Sequence, residues 1–443
     1  MTTLLNRCEQ ALDCARRSGA DHAEAFGQAG RSISVSVEKN DVQISRSLQE
    51  TMIGIRAFVG RRVGFACTND PESLAAACAD AVTLAKASPP DDHNVLPAPA
   101  SFAPAEGTFD PAAEQFGVSE AVRYATEFIS IAQAIDRRVI LGEGQFAAEV
   151  GERVVVNSDG LSAGERASLF SYFALATAQD GEVVSNMDFQ FGASRSVAGI
   201  ETGPIVERAC RNALGSLGAT KGETFVGPVI LSPNAVQSIL VQLLLFQLNA
   251  KNVLRGMSRW KDAVGQATAV PFLTVSDDGL IPEGVATSAF DREGTPHRPM
   301  TLIDEGVVRG FLHNAYTANA MGARNTGHAA GSARSLPAIG PTNFSIAPGD
   351  HSKDEMIAEI DRGLLVTRFS GTADPVSGDF SGVAKAAYLI VDGRIERPVT
   401  ETLIAGNSFE AIRSLSAVSS EREPIFAFML PYVRLEGISV TGG

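Results

Sequence analysis

Six histidines and five cysteines are the side chains of this 443-residue sequence best suited to hold a metal or attack a carbonyl. The histidines are His22, His93, His297, His313, His328 and His351, so none lies between His93 and His297. The cysteines are Cys8, Cys14, Cys67, Cys78 and Cys210; their number is odd, none are spaced C-x-x-C, and none follows Cys210. Such cysteines read as buried small hydrophobes in a reducing compartment. A hydrolytic zinc needs three or four N, S or O ligands and a carboxylate to activate its water. His297 lies in a loop-like Thr-Pro-His-Arg-Pro, and His313 and His328 fall on separate elements. Solvated or singly hydrogen-bonded imidazoles are the expectation for all three. Gly378-Asp379-Phe380-Ser381-Gly382 does not have the G-x-S-x-G spacing of a nucleophile elbow. No G-x-x-x-x-G-K-[ST] loop and no post-strand G-x-G-x-x-G occurs.

Two glycine-rich blocks remain, Asn325–Gly331 and Ser377–Gly382. Glycine permits close backbone approach, and an open strand edge binds an extended peptide through main-chain groups with little sequence preference. Thr326, Gly327, His328, Gly378, Asp379, Phe380 and Ser381 are therefore candidates to line a peptide groove, with Asp291, Glu293 and Gly294 of the Phe-Asp-Arg-Glu-Gly stretch beside them. The alternative is that these glycines make bulges and tight turns, and that Asp291 and Glu293 hydrogen-bond a turn. Both readings stay open. Asp277-Asp278 stands before Gly279, where a turn is expected.

These residues must be positioned by a chain long enough for two domains. Residues 3–18 carry Leu4, Leu5, Cys8, Leu12 and Ala15 at helical spacing and stop at Gly19. Four alternating stretches follow, 32–38, 41–48, 51–59 and 62–68, with turn signals at Lys39-Asn40-Asp41 and Gly60-Arg61-Arg62. Asp70-Pro71 opens a helix to about Ala87. After a proline-rich connection, 88–117, the order returns: a helix at 118–136, strands near 138–148, 152–157, 163–179 and 183–194, and a helix near 203–217. The spacing predicts a duplicated helix–four strands–helix unit within an N-terminal α/β domain, 1–220, built on antiparallel sheets. Residues 221–443 predict a β-rich domain, sandwich or barrel-like, with helices at 233–250 and 353–362. The fold class is α+β.

Hydrophobic content of 44% with 20% charged residues describes a globular protein, and the net charge of −14 disfavours binding to phosphate backbones. The longest apolar tract, 238–248, is too short to span a bilayer. The N-terminal tract mixes Arg, Glu and Asp among its apolar residues and reads as an amphipathic helix, not a signal peptide. No nucleic acid, no membrane and a cytoplasmic location are the expectations.

The tract TADPVSGDFSGVAKAAYLIVDGRIERPVTETLIAGN (372–407), with ATSAFDREG (286–294) and GARNTGHAAGSAR (322–334), resembles the TldD/PmbA family. The resemblance spans nearly the whole chain. It implies zinc peptidases of TldD type, whose metal is held by a helical His-Glu-x-x-x-His and a late cysteine, and PmbA (TldE) type partner subunits. Aligning Val253-Leu254-Arg255-Gly256 and Val264-Gly265-Gln266 places the two histidines at Val241 and Phe246 and the glutamate at Gln242. A shift of a few residues changes nothing, because no histidine is within reach. The resemblance therefore implies the PmbA type: a subunit of a metallopeptidase complex that handles unfolded or small peptides, with no catalytic residue, metal or cofactor of its own. Zinc would belong to a TldD-type partner in a heterodimer, and extended peptide would be the substrate. The family has also been labelled a modulator of DNA gyrase, and nothing in this sequence marks a DNA-binding surface. Two rival expectations are an active peptidase with a non-standard site and a peptide-binding homodimer without catalysis.

Overall fold

The computed structural model describes residues 2–443. Its first half is one seven-stranded sheet with four helices on a single face. In chain order these are α1 (Thr2–Arg17), β1 (His22–Glu38), β2 (Asp41–Val59), β3 (Arg62–Thr68), α2 (Leu74–Ala87), α3 (Val118–Ile135), β4 (Val139–Asn157), β5 (Ser162–Asp180), β6 (Val183–Val184), β7 (Asp188–Ser194) and α4 (Thr202–Gly215). The strand order is β3-β2-β1-β4-β5-β6, with β7 also on β5, and every pairing is antiparallel. The repeat is thus helix, three main strands, helix. The four expected strands become three because 41–48 and 51–59 are one strand, as are 138–148 and 152–157; the strands run through the short gaps 49–50 and 149–151 between those stretches. Both residues of the β1–β2 turn, Lys39 and Asn40, have positive φ, as do Gly60 and Arg61 between β2 and β3. Such two-residue turns match the right-handed twist of hairpin strands.

Period-2 alternation fixes the two faces. On β1, Ala23, Ala25, Ile33, Val35 and Val37 are buried in the helix-side cores. Glu24, Phe26, Gln28, Gly30 and Ser32 alternate with them and look the other way, toward the second half of the chain. The proline-rich connection 88–117 is an ordered strap. It contains a short 3₁₀ turn, Pro111–Gln115, and touches both halves: Asn157 donates to the Pro97 carbonyl at 2.8 Å, and Tyr316 donates to Asp91 at 2.8 Å.

The second half contains β8 (Thr220–Lys221), β9 (Phe225–Leu231), α5 (Pro233–Val236), α6 (Gln242–Gln247), α7 (Ala250–Leu254), β10 (Val275–Asp278), β11 (Pro299–Asp304), β12 (Val307–Val308), α8 (Ala315–Met321), β13 (Ala329–Ala330), β14 (Ala338–Ile339), β15 (Phe344–Ile346), α9 (Lys353–Ala358), β16 (Arg362–Ala373), β17 (Asp379–Val391), β18 (Arg394–Thr400), β19 (Thr402–Asn407), α10 (Ser408–Ser414), β20 (Leu415–Ile425) and β21 (Phe428–Gly442). Twelve of its strands share one sheet, with parallel pairs at β9–β16, β15–β21 and β8–β18. Strands β9, β16, β17, β19 and β21 pair successively and return to β9, so this part closes on itself as a small barrel-like ring. Closure removes exposed edges. The expected helix 353–362 ends at Ala358, since Arg362 already starts β16.

Candidate functional site

The expected metal helix begins with Ser232-Pro233 and runs to Gln247, interrupted by a π-type turn over Gln237–Val241. Val241 ends that turn and is fully buried among Ile239, Leu240, Leu244 and Val229. Gln242 is exposed and Phe246 half-buried. A valine, a glutamine and a phenylalanine provide neither imidazole nor carboxylate, so these residues do not fit a zinc ion. Gln247, one residue further, is locked in place: its amide donates to the Pro375 carbonyl at 2.6 Å and accepts from the Arg259 N–H at 2.7 Å. Beside it a cavity of 660 Å³ is lined by Gly256–Arg259, Lys261, Asp374, Val376 and Ser377. Among the described residues no group of three or more His, Cys, Asp or Glu side chains is arranged to hold a metal ion.

The loops 286–294 and 322–334 form a buried polar cluster instead of an open lining. His328 is 2% exposed; its Nε2 donates to Asp277 Oδ1 at 3.0 Å, and its Nδ1 lies 2.8 Å from the Thr326 hydroxyl. Asp277, expected in a turn, lies within β10, fully buried, and also accepts the Thr342 N–H at 2.9 Å and the Thr342 hydroxyl. Of the two alternatives expected for the histidines, solvated or singly hydrogen-bonded, the solvated one is corrected likewise. His297 and His313 are buried, and burial above all pushes their imidazoles down to about 3 and about 4. The order Asp277–His328–Thr326 resembles a nucleophilic triad. The Thr326 oxygen, however, accepts the His313 N–H at 2.7 Å and faces the His313 carbonyl, which makes it a loop tether.

Asp291 and Glu293 are also buried. Asp291 accepts the N–H groups of Glu293, Thr295 and Ala329, each at 2.9 Å, and so pins one loop to the other. Burial, then the neighbouring Glu293 charge, outweigh these donors and raise its carboxyl to about 7. Glu293 accepts the Ala315 N–H at 2.9 Å and pairs with Arg56 of β2 at 2.7 Å. Arg56 reaches Glu24 at 2.5 Å, and Glu24 reaches Arg292 at 2.7 Å, whose guanidinium lies 4.1 Å from the Phe26 ring centre. Burial raises the Glu24 carboxyl, but the two arginines overcome it and hold it below its usual range. Two acids and two arginines thus clamp the N-terminal sheet to the 286–294 loop. Gly294 and Gly327 are buried in the same loops. Gly378, Asp379, Phe380 and Ser381 stand apart, against β16, β19 and Phe409. The ten candidate residues therefore form two separate groups, and none lines either cavity described here.

The cavity that sequence reasoning missed lies on the open face of the N-terminal sheet. It has a volume of 610 Å³, and its walls include residues 285–288, Ser332 and Arg334 of the family-like loops. Its floor residues come from β1, β2, β4 and β5, far apart in sequence and individually unremarkable; only the pairing of β1 with β4 brings them together.

A four-helix, seven-stranded antiparallel sheet is clamped to a partly closed β-rich half, with the loop pair 286–294 and 322–334 between them, and this defines an α+β scaffold. Residues 23–85, 112–217 and 224–442 match domain 1, the central domain and the C-terminal domain described as PmbA/TldA metallopeptidase. The chain belongs to the PmbA/TldD family. It is 27% identical to "Metalloprotease PmbA" of Escherichia coli O157:H7, covering 91% of this chain and 88% of that protein. It is 25% identical to "Metalloprotease PmbA homolog" of Haemophilus influenzae, covering 100% and 98%. The solved structure of TldE from Thermococcus kodakarensis superposes with a TM-score of 0.91 at 26% identity, covering 98% of this chain and 100% of that one.

Proposed function

We propose that this chain is the metal-free, TldE-like subunit of a TldD/PmbA-type peptidase complex, acting with a metal-bearing TldD-type partner on extended peptides. The observation that carries the reading is the replacement of the family's metal side chains by Val241, Gln242 and Phe246 on a helix that otherwise keeps its packing. Val241 is built into the apolar core, so the helix serves assembly. The likeness to TldE of Thermococcus kodakarensis supports the same assignment. In this reading the chain supplies shape and peptide contacts, while the partner supplies the hydrolytic water and its activation.

The test is cleavage of a fluorescein-labelled unfolded peptide by the purified chain, by a TldD-type protein and by their mixture, with zinc quantified by mass spectrometry. The expected result is no stoichiometric zinc and no cleavage by this chain alone, with full activity in the mixture. Chelator-sensitive cleavage by the chain alone would overturn the reading.

A further inference from the structure

The cavity on the open sheet face has a floor with almost no side chains. One cross-strand row runs Glu50–Gly30–Gly151–Ala167 over β2, β1, β4 and β5. Glycine is required at both central positions because β1 and β4 come close: a Cβ on Gly30 would lie 2.9 Å from the Val150 carbonyl oxygen, and one on Gly151 2.9 Å from that of Ala29. A bare strip follows from that close approach. On one side stands the row Met52–Gln28–Arg153–Glu165, topped by the loops: Gln28 accepts the Ala333 N–H at 2.8 Å, and Arg153 donates to the Phe290 carbonyl at 2.5 Å. On the other side lies the row Leu48–Ser32–Glu149–Leu169. With strands about 4.8 Å apart, four of them give a trough about 14 Å long, enough for about four extended residues. The 610 Å³ volume falls in the roughly 300–1,000 Å³ range of ligand sites.

The guanidinium groups around this trough have their donors engaged by the protein itself, whereas one of its carboxylates stands open. Arg31 is spent on the carbonyls of Glu114 and Phe116, Arg153 on Glu165, Arg195 on the carbonyls of Ser168, Gly284 and Thr287, and Arg334 on Glu50. Glu149 is exposed and has no partner among the described residues. Leu169 stands next to it in the same row and Leu48 lies beyond Ser32, 59% exposed. We infer that this trough binds an extended peptide segment bearing a cationic group, which pairs with Glu149 between the apolar neighbours that Leu48 and Leu169 accept. The inference deepens the proposed function by naming the substrate class of this subunit. The net charge of −14 steers such peptides toward the protein.

The experiment is fluorescence anisotropy of the full chain without a partner. Three labelled probes are used: acetyl-Ala-Leu-Lys-Leu-Gly, its Lys→Glu counterpart, and Ala-Leu-Gln-Leu-Gly with a free amino terminus. Binding of the lysine or free-amine probe over the glutamate probe is expected, and the stronger of the two identifies the cation. Glu149→Lys should reverse the order, with a change of at least about tenfold. Ser32→Phe, filling the trough from β1, should abolish binding of every probe while the melting curve stays that of the parent. No binding by the parent, equal binding of all probes, or unchanged binding in both variants overturns the inference. So does self-association by sedimentation that Leu48→Lys abolishes, which would place a second copy on this face. If activity in the partner mixture is retained while Glu149→Lys and Ser32→Phe leave it untouched, the trough fails and the subunit reading stands. Probe binding without activity in the mixture gives the converse.

Discussion

The two lobes of the N-terminal sheet share a topology and differ in what fills them. The lobe of α1, β1–β3 and α2 is packed with Ala11, Ala15, Ala23, Ala25, Ala57, Ala77, Ala81, Cys8 and Cys78, and its core holds no aromatic side chain among the described residues. The lobe of α3, β4–β7 and α4 is packed around rings. Phe146 stacks on Tyr124 with ring centres 4.8 Å apart and on Phe116 at 5.7 Å, and Phe170 tilts against Phe116 at 5.0 Å. Small residues let helices lie close to the sheet, whereas rings hold them away and bury more area per residue. Alternation and hairpin turns set the topology in both, so core composition is free to vary under a fixed chain path. The first lobe should then resist enlargement poorly, and the second truncation poorly.

Phe146→Ala should give the largest effect, about 3–5 kcal/mol lost in urea unfolding, because a fully buried ring leaves a void among its neighbours. Ala11→Gly in the first lobe, which leaves no comparable void, should cost about 1 kcal/mol.

A second contrast is electrostatic. The second lobe holds buried Asp188 on β7, which burial raises from 3.8 to about 6 despite Gln190, Asn212, Arg368 and Arg208. The folded state then binds the proton more tightly than the unfolded one, so this group's contribution falls as pH rises from about 4 to 6. At about 1.4 kcal/mol per pH unit, its ionised form costs about 3 kcal/mol at neutral pH. Asp188→Asn should therefore be more stable than the parent at pH 7 and lose that advantage at pH 4. His297 and His313 act oppositely, since their depressed values cost stability as pH falls below about 6.5. Melting curves of Asp188→Asn and the parent between pH 4 and 7 isolate the aspartate.

Enlargement gives a smaller, sharper test. A Cβ on Gly64 of β3 would meet the Ala81 carbonyl oxygen at 2.1 Å, part of a helix that cannot move alone. A Cβ on Gly192 of β7 would meet the Tyr172 ring at the same 2.1 Å, a single side chain and not backbone, though one stacked on Phe146 and accepting the Glu201 N–H through its hydroxyl. Gly64→Ala should cost about 1–3 kcal/mol and Gly192→Ala less. Equal costs would dissolve the distinction between the lobes. A small effect, about 1 kcal/mol in thermal melts, is expected from Asp110→Ala, which removes the cap on the Ala112 N–H and the bond to the Val197 N–H.

The lobes were legible because alternation and turn chemistry are local. Lys39-Asn40 and Gly60-Arg61 marked both turns of the first meander. The break expected at Gln49-Glu50 lies where β2 leaves the core and the residues on both faces are exposed or half-buried, so burial imposes no periodic signal there although the strand continues. The site was less legible. Missing ligands at Val241 and Phe246 could be read from residue type alone. The pairing of Asp277 with His328 joins residues 51 apart, and nothing local marks Asp277 as buried. The trough floor depends on register between β1 and β4, which no short window contains.

The clamp between the halves also sets a timetable. Glu24 and Arg292 are 268 residues apart. At about 5–20 residues per second on the ribosome, Glu24 waits roughly 15–50 s for Arg292. Glu24 and Arg56 already face each other within the sheet, and Arg292 and Glu293 emerge side by side, so each half carries a matched pair before they meet. The nascent chain can wait without presenting a lone charge on the face that will be buried, and docking keeps the Glu24–Arg56 pair while adding Arg56–Glu293 and Glu24–Arg292 to it.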